Sequence, residues 1–291
     1  MKKFLLPLLL ALAAAPGCTS SVSSTSASPQ PAPVAPATTG GFLIGAQAWS
    51  FRKFTLFEAI AKNAAAGGTV MEFFPGQKIS ADTGNAVFDQ NISPELLDKI
   101  RTELARHHLR ATAIGVIDPG HTEAAWRKTF DVAKSLGVLV INTENTGDLD
   151  LLEKLAKEYD IKVGIHNHPA RPGYKLWNPE YVLGLVKGRD PHIGACADTG
   201  HWVRSGLKPA DCLRILKGRI VSSHLKDLNA FDPGAHDVRY GTGVCDIRGI
   251  LKEFKAQGFT GPISVEYEYA WDNNGPDIRA CIDYVRTAGL N

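Results

Sequence analysis

The sequence predicts an α/β fold whose core is a sheet of parallel strands. From residue 42 onward, short runs that are apolar throughout alternate with longer segments of amphipathic, helical pattern. Strands that are apolar on both faces belong to parallel sheets covered by helices. Eight such strand–helix units in about 250 residues match the size of a (β/α)8 TIM barrel. A doubly wound open sheet is the alternative, but no Gly-x-Gly-x-x-Gly motif follows the first strand.

The elements are predicted from apolar runs and from the residues that begin and end helices. Thr55 and Ser93 are typical N-caps, Pro94 suits a first helical turn, and Gly137 suits a helix end. Strands are expected at 42–48, 69–74, 110–116, 138–143, 161–167, 193–197, 219–223 and 262–265. Helices are expected at 55–66, 93–107, 122–136, 148–159, 178–187, 209–217, 246–257 and 277–287.

The first 41 residues are expected to lie outside the barrel. A basic start precedes an apolar run from Phe4 to Ala15, which is too short to span a bilayer as a helix. Small residues followed by Cys18 resemble a bacterial lipoprotein signal, in which Cys18 is lipidated; an ordinary signal cut near Ala15 is the alternative. We therefore predict a signal peptide at 1–18 and an exported lipoprotein on the periplasmic face of a bacterial membrane, the outer membrane, which only the lipid anchor touches.

Residues 19–41 are mostly Ser, Thr, Ala and Pro and carry no charge. Such a segment cannot bury a core, so it is predicted to be a flexible linker before a single domain at 42–291. The chain has 32 basic and 30 acidic residues, and two of the lysines lie in the signal. A neutral domain has no general electrostatic attraction to nucleic acid.

Four cysteines follow Cys18, and their positions are widely separated. They fit no zinc-finger spacing, and in an exported protein they would allow three disulfide pairings. The apolar strand around Cys196 favours core packing for that thiol. The four residues are Cys196, Cys212, Cys245 and Cys281.

Polar side chains stand at the predicted carboxyl ends of the fourth, sixth, seventh and eighth strands: Glu144, Asp198, His224 and Glu266. Active sites of (β/α)8 barrels lie at this end of the strands. Three carboxylates and an imidazole would repel one another there unless a cation neutralised them. Oxygen-rich ligands with one histidine suit Mn²⁺, Mg²⁺ or Co²⁺, and Zn²⁺ is possible. The pattern predicts a site for one divalent metal ion.

The motifs around these residues resemble a known family. They read Ile-Asn-Thr-Glu-Asn, Ala-Asp-Thr-Gly-His, Ser-His-Leu-Lys-Asp and Ile-Ser-Val-Glu-Tyr-Glu, with Gly241-Thr-Gly243 between the last two. They look like the xylose isomerase-like barrels, which include sugar phosphate isomerases/epimerases, ketose 3-epimerases, hydroxypyruvate isomerases and inosose dehydratases. The resemblance covers residues 42–290. It implies that the four positions hold one divalent metal, that Glu144 and Glu266 act as acid and base, and that His201 contacts a substrate oxygen.

Sugar isomerisation and epimerisation begin by removing a proton from the carbon next to a carbonyl. A metal that chelates the carbonyl and a neighbouring hydroxyl stabilises the enediolate, and a carboxylate takes the proton. We therefore predict an isomerase, a metal-dependent sugar isomerase/epimerase. Its small-molecule sugar is expected to be unphosphorylated, because phosphorylated sugars are mainly cytosolic and no arginine cluster suits a phosphate.

Further substrate-binding candidates follow from position. His168 in His-Asn-His-Pro follows the fifth strand, and Glu72 ends the second strand, where it could face the sugar. Glu268 shares the inward parity of Glu266. Lys226 could donate to a substrate oxygen, although an ion pair within Lys-Asp is equally compatible with the sequence.

Three other functions are compatible with parts of the pattern. Loss of a hydroxyl β to a carbonyl starts with the same proton abstraction, so a dehydratase, hydratase or eliminase of keto-sugars or 3-keto-glycosides is the main alternative. DNA-repair enzymes of the endonuclease IV type share the barrel and bind three zinc ions. However, the third strand here ends Ala-Ile-Gly-Val without a histidine, and the second ends in Glu72. An intact ligand set argues against a non-catalytic carbohydrate-binding lipoprotein.

Overall fold

The computed structural model describes Met1 and residues 38–288, and its core is a closed barrel of eight parallel strands. The strands are β1 (Leu43–Gln47), β2 (Val70–Phe73), β3 (Arg110–Ile114), β4 (Val140–Thr143), β5 (Lys162–His166), β6 (Ile193–Asp198), β7 (Ile220–Leu225), β8 (Asp227–Leu228), β9 (Asp237–Val238) and β10 (Pro262–Val265). β8 and β9 form a short antiparallel hairpin. The other strands close the barrel in the order β1-β10-β7-β6-β5-β4-β3-β2. The predicted (β/α)8 barrel is confirmed.

Helices cover the outside of the barrel, and their starts follow from local capping. The Thr55 hydroxyl accepts from the Glu58 amide, and the Glu58 carboxylate accepts from the Thr55 amide, which is a capping box. Gly137 ends a helix in the left-handed region at φ 70°. The helices are α1 (Leu56–Ala65), α2 (Pro94–Arg106), α3 (Glu123–Leu136), α4 (Leu149–Tyr159), α5 (Pro179–Val186), α6 (Thr199–Arg204), α7 (Pro209–Ile215), α8 (Ile247–Ala256) and α9 (Gly275–Thr287).

The structure differs from the prediction at α6. The sequence predicts a turn at Thr199-Gly200, whereas β6 passes directly into a helix. Asp198 ends the strand and also caps the helix, because its Oδ1 accepts from the His201 amide at 2.8 Å. The four cysteines of the described region are free and buried. Among the described residues, no helix has the length and apolar character needed to cross a membrane.

The domain begins slightly earlier than predicted. The predicted signal peptide 1–18, its Cys18 and the linker as far as residue 37 lie outside the described residues, Met1 excepted. Thr39, however, is buried and exchanges two backbone hydrogen bonds with Phe42, at 2.8 and 3.0 Å. Gly40 has φ 60°, and a Cβ there would lie 2.5 Å from the carbonyl oxygen of Val285 in α9. The last linker residues therefore belong to the barrel domain.

A chain beginning at Thr38 is expected to unfold as cooperatively as the full-length protein. A chain beginning at Phe42 loses the two backbone hydrogen bonds to Thr39, each worth on the order of 1 kcal/mol, and is expected to have a lower Tm. Differential scanning calorimetry of both shortened chains measures the effect. Equal Tm values would mean that residues 38–41 add nothing to the domain.

Candidate active site

A cavity of about 270 Å³ opens at the carboxyl ends of the barrel strands. Four of the residues predicted for the site, His168, His201, Glu266 and Glu268, form part of its wall. The complete lining is Gln47, Trp49, Phe74, Pro75, Gly115, Val116, His166, His168, His201, Glu266 and Glu268. The cavity lies at the end of the barrel where the sequence predicts chemistry.

A cluster of buried metal-ligating side chains adjoins this cavity, and two of its members, His166 and Glu266, line it. It comprises His166, Asp198, His224 and Glu266, whose ligand atoms lie within 4.8 Å of one another. His166 Nε2, Asp198 Oδ2 and His224 Nδ1 are buried and make no hydrogen bond, although Lys226 Nζ lies 3.1 Å from Asp198 Oδ2 and Glu266 Oε2 lies 3.1 Å from His224 Nδ1. Buried polar atoms are normally hydrogen-bonded, so three neighbouring metal-ligating atoms without a hydrogen bond fit a divalent cation. Histidine and carboxylate donors are the ligand types such a cation accepts.

Glu144 lies outside this four-residue cluster. It follows the end of β4, and its carboxylate accepts hydrogen bonds from His166 Nδ1, at 3.1 Å, and from His168 Nδ1. Glu144, His166 and His168 form a second group that could hold a metal. His166 therefore stands between Glu144 and the other predicted ligands, a position that the sequence analysis did not assign to it. The shared parity of His166 and His168 at a strand end was the available signal.

The shifted pKa values of Glu144 and His166 indicate how these groups are ionised. Burial raises the pKa of Glu144, but the hydrogen bonds from His166 and His168 outweigh it and hold the pKa well below the ordinary value. Burial lowers the pKa of His166, but the carboxylates of Asp198 and Glu144 raise it to about 9. The carboxylates are thus ionised at neutral pH and draw positive charge onto the imidazoles.

Glu72 lies below the cluster and does not line the cavity. It is fully buried, and its Oε1 accepts from His224 Nε2 and from Asn142 Nδ2, both at 2.9 Å. Its Oε2 accepts from Ser264 Oγ at 2.6 Å. The predicted contact with the sugar is therefore replaced by a contact with His224. Because His224 Nε2–H donates to Glu72, its Nδ1 is left to face the cluster.

Glu72→Gln is expected to lower divalent-metal affinity by about 10–100-fold, the usual effect of losing a carboxylate that orients a ligating histidine. Chelator competition measures this affinity. Ser264→Ala is the matched control, because it removes a different hydrogen bond to Glu72 and leaves the one from His224. An unchanged affinity in Glu72→Gln would show that Glu72 does not orient His224 for metal binding.

Lys226 is fully buried beside the cluster and is held by carboxylates. Its Nζ lies 3.1 Å from Asp198 Oδ2, 2.7 Å from Glu266 Oε2 and 2.8 Å from Glu268 Oε2. Burial raises the pKa of Glu266, but Lys226 and His224 outweigh it and hold the pKa well below the ordinary value. The ammonium group therefore offsets part of the negative charge at the cavity.

The residue after Lys226 has a structural role. Asp227 accepts backbone hydrogen bonds from Gly241, Gly243 and Cys245, at 2.8, 3.0 and 3.0 Å. It therefore anchors the Gly241-Thr-Gly243 loop and does not pair with Lys226. A Cβ on Gly200 would lie 2.7 Å from Lys226 Cβ, so the glycine of Asp-Thr-Gly-His makes room for the lysine.

Arg204 fixes the proton on His201, a contact that the sequence analysis missed. Its Nη1 donates to His201 Nδ1 at 3.2 Å and to Glu268 Oε2 at 3.1 Å, and Nη2 donates to Asp237 Oδ2 at 3.1 Å. A guanidinium group only donates, so His201 Nδ1 accepts and its proton lies on Nε2. Burial lowers the pKa of His201 well below its ordinary value, although Asp198 opposes the shift. His201 is thus a neutral N–H donor in the cavity wall.

The chain matches the family described as Xylose isomerase-like TIM barrel over residues 60–288. It belongs to this family. An uncharacterized protein of Parabacteroides distasonis ATCC 8503, known from a crystal structure, is similar at 32% identity and a TM-score of 0.69, over 84% of this chain and 98% of that one. A D-tagatose 3-epimerase-like protein shares the fold at 19% identity and a TM-score of 0.65, over 84% and 97% of the two chains.

Inosose dehydratase of Clostridium tetani is 35% identical over 111 residues, which is 38% of this chain and 31% of that enzyme. The matches to curated relatives span between 31% and 61% of those proteins' own lengths. In this xylose isomerase-like barrel, Asp198, His224 and Glu266 come together. Glu144 is hydrogen-bonded to His166, which belongs to the same cluster. Glu268, His201 and His168 form the surrounding wall.

Proposed function

We propose that this protein is a divalent-metal-dependent sugar isomerase/epimerase that works by proton abstraction next to a carbonyl. The proposal rests on where its two candidate acid/base residues lie in the barrel. Glu144 follows β4 and Glu266 follows β10, and these two strands are diametrically opposite in the closed barrel. Glu266 lines the cavity, and Glu144 contacts His166 and His168 of its wall, so the two carboxylates approach the cavity from opposite sides and can each serve one face of a substrate.

The proposed metal-binding residues are Asp198, His224 and Glu266, with His166 or Glu144 completing the set. Mn²⁺, Mg²⁺, Co²⁺ or Zn²⁺ bound there would polarise the substrate carbonyl and stabilise negative charge on its oxygen. One carboxylate removes the proton, and the other returns a proton to the opposite face or to the neighbouring carbon. His201 Nε2–H donates to a substrate oxygen, and Lys226 keeps Glu266 ionised.

The proposed substrate is an unphosphorylated sugar. No lysine or arginine is among the described residues that line the 270 Å³ cavity, so the cavity offers none of the cationic side chains that usually grip a phosphate. The proposed location agrees with this, because the Cys18 motif favours an exported lipoprotein on the periplasmic face of the outer membrane. The near-neutral charge of the chain gives no support to a nucleic-acid substrate.

A metal-dependent dehydratase or eliminase is the second candidate, and one contact favours it. His168 Nδ1 is hydrogen-bonded to Glu144, and it is half-exposed at the cavity wall. An imidazole in that position could protonate a leaving hydroxyl after the carboxylate has taken the proton. The similarity to an inosose dehydratase over part of the chain supports the same reaction class.

Incubation of Mn²⁺-loaded protein with free and 3-keto sugars in D₂O tests both candidates. An isomerase/epimerase is expected to exchange one substrate proton for deuterium and to form a second sugar, both visible by NMR. A dehydratase or eliminase is expected to form an unsaturated carbonyl product with new ultraviolet absorbance. Absence of exchange and of elimination across the whole panel would contradict proton-abstraction chemistry.

A further inference from the structure

A second cavity of about 560 Å³ adjoins the first at the rim of the barrel. The two cavities share Trp49 and Phe74 as lining residues. These rings contact each other edge to face, with centroids 5.0 Å apart. The aromatic pair therefore forms part of the boundary that the two cavities share. Aromatic rings offer an apolar surface that suits the face of a sugar ring.

The sizes of the two cavities suit two units of one substrate. The inner cavity, at about 270 Å³, is below the range of about 300–1,000 Å³ that is typical for drug-sized ligands. It suits a single sugar ring beside the ligand cluster. The outer cavity, beyond Trp49 and Phe74, offers space for a second ring.

Gln77 supplies an unused hydrogen-bond acceptor in the outer cavity. Its side chain is 3% exposed, and its Nε2 donates to the carbonyl oxygen of Phe54 at 3.2 Å. That bond fixes which end of the amide is oxygen, because a carbonyl can only accept. Oε1 is buried without a partner. A buried acceptor is rarely left unpaired, so this atom points to a ligand that donates a hydrogen bond, as a sugar hydroxyl does.

The neighbouring groups are already held in place. Arg52 lies 3.8 Å from the centroid of the Trp271 ring and 4.8 Å from that of Trp49, so a cation–π contact fixes the Trp49 ring. The Glu58 carboxylate, which also lines the outer cavity, is engaged in capping Thr55. The Trp49 ring and the Glu58 carboxylate are thus held in place, whereas Gln77 Oε1 is buried without a donor.

We propose that the outer cavity binds the second unit of a glycoside, so that the substrates are glycosides or disaccharides and not free monosaccharides. The reacting ring lies in the inner cavity, and the second unit passes Trp49 and Phe74 and donates a hydroxyl to Gln77 Oε1. The inference rests on the proposed function only in taking the reacting unit to be a sugar. It concerns binding, and no bond to the second unit needs to be broken.

Calorimetric titration of Mn²⁺-loaded protein with glucose, cellobiose, maltose, trehalose and sucrose tests this inference. At least one disaccharide is expected to bind about tenfold more tightly than glucose, the order of effect of one added hydrogen bond with its ring contacts. Gln77→Met is expected to reduce that preference to about twofold. Gln257→Met is the matched control, because its Nε2 also donates to a backbone carbonyl, that of Leu213 at 2.9 Å, outside both cavities.

Equal binding of glucose and every disaccharide, or an unchanged preference in Gln77→Met, would overturn the inference. If Gln77→Met does not fold, Lys78→Ala replaces it, because Lys78 is an exposed residue that also lines the outer cavity. It is expected to weaken disaccharide binding about threefold, and no weakening counts against the inference. The D₂O experiment separates the two proposals. A disaccharide preference without proton exchange contradicts the chemistry alone, and exchange on free sugars without a disaccharide preference contradicts the outer cavity alone.

Discussion

Asp198→Asn is expected to abolish divalent-metal binding and, with it, turnover. Asp198 Oδ2 is fully buried inside the ligand cluster and makes no hydrogen bond, and it already faces a cationic group, the Lys226 ammonium 3.1 Å away, so we expect it to be a metal ligand. Oδ1 caps α6 by accepting from the His201 amide, and asparagine can retain that cap. The substitution therefore removes the ligand atom while keeping the helix start. Metal analysis after desalting should fall from about one equivalent per chain to almost none.

Asp198→Ala would be a poorer test, because it also removes the helix cap, which is worth about 0.5–2 kcal/mol. Asp237→Asn is the matched control. Asp237 is a buried carboxylate that pairs with Arg204 at 3.1 Å, and it lies outside the ligand cluster. The Asp237→Asn variant should therefore keep its metal. Full metal content in Asp198→Asn, with an unchanged thermal unfolding curve, would contradict the assignment of Asp198.

The barrel could be predicted because its determinants are local. The strands are short and apolar throughout, which indicates a parallel sheet, and helix starts such as Thr55 carry a complete capping box. Helix α6 was missed because its six residues are too few to show a periodic apolar pattern. Its start is set by Asp198, which the sequence indicated as a strand end without indicating that it also caps a helix.

The sequence predicts which side chains of the candidate site point into the barrel, but not how far along the barrel axis each one lies. Alternation along strands indicates that Glu72, His224 and Glu266 can point inward, and they do. Parity does not reveal that Glu72 sits one layer below the cavity, because that depends on the stagger between neighbouring strands. β2 and β3, for example, shift register between Met71 and Glu72. A side chain's layer in a barrel is a property of the whole sheet.

Contacts between distant segments could not be predicted at all. Arg204 reaches Asp237 in the β8–β9 hairpin and Glu268 beyond β10. No sequence pattern links a helix to a hairpin about thirty residues later. The position of the Glu144 carboxylate could not be predicted either. The backbone of Glu144 is fixed by β4, which ends one residue earlier, but its carboxylate is held by His166 and His168 at and after the end of β5.

Glu144→Gln and Glu266→Gln are expected to have different effects, although both remove a proposed acid/base carboxylate. Glutamine keeps the shape of the side chain but cannot accept a proton, so each variant should lose turnover by about 10²–10⁴-fold, the usual contribution of a positioned base. Glu266 belongs to the buried ligand cluster, whereas Glu144 lies beyond His166. Glu266→Gln should therefore also lose metal, and Glu144→Gln should retain it.

Proton exchange in D₂O, followed separately from each of two sugar epimers, locates the two bases. Because Glu144 and Glu266 follow strands on opposite sides of the barrel, Glu144→Gln should block exchange from one epimer more than from the other. Glu268→Gln is the control, since Glu268 lines the cavity and pairs with Lys226 but is neither of the two proposed bases; it should lose less than about tenfold. Near-wild-type exchange in both Glu144→Gln and Glu266→Gln would exclude the two-carboxylate mechanism, because a lost base cannot leave its proton transfer intact, and would move the base to His168, Lys226 or Glu268.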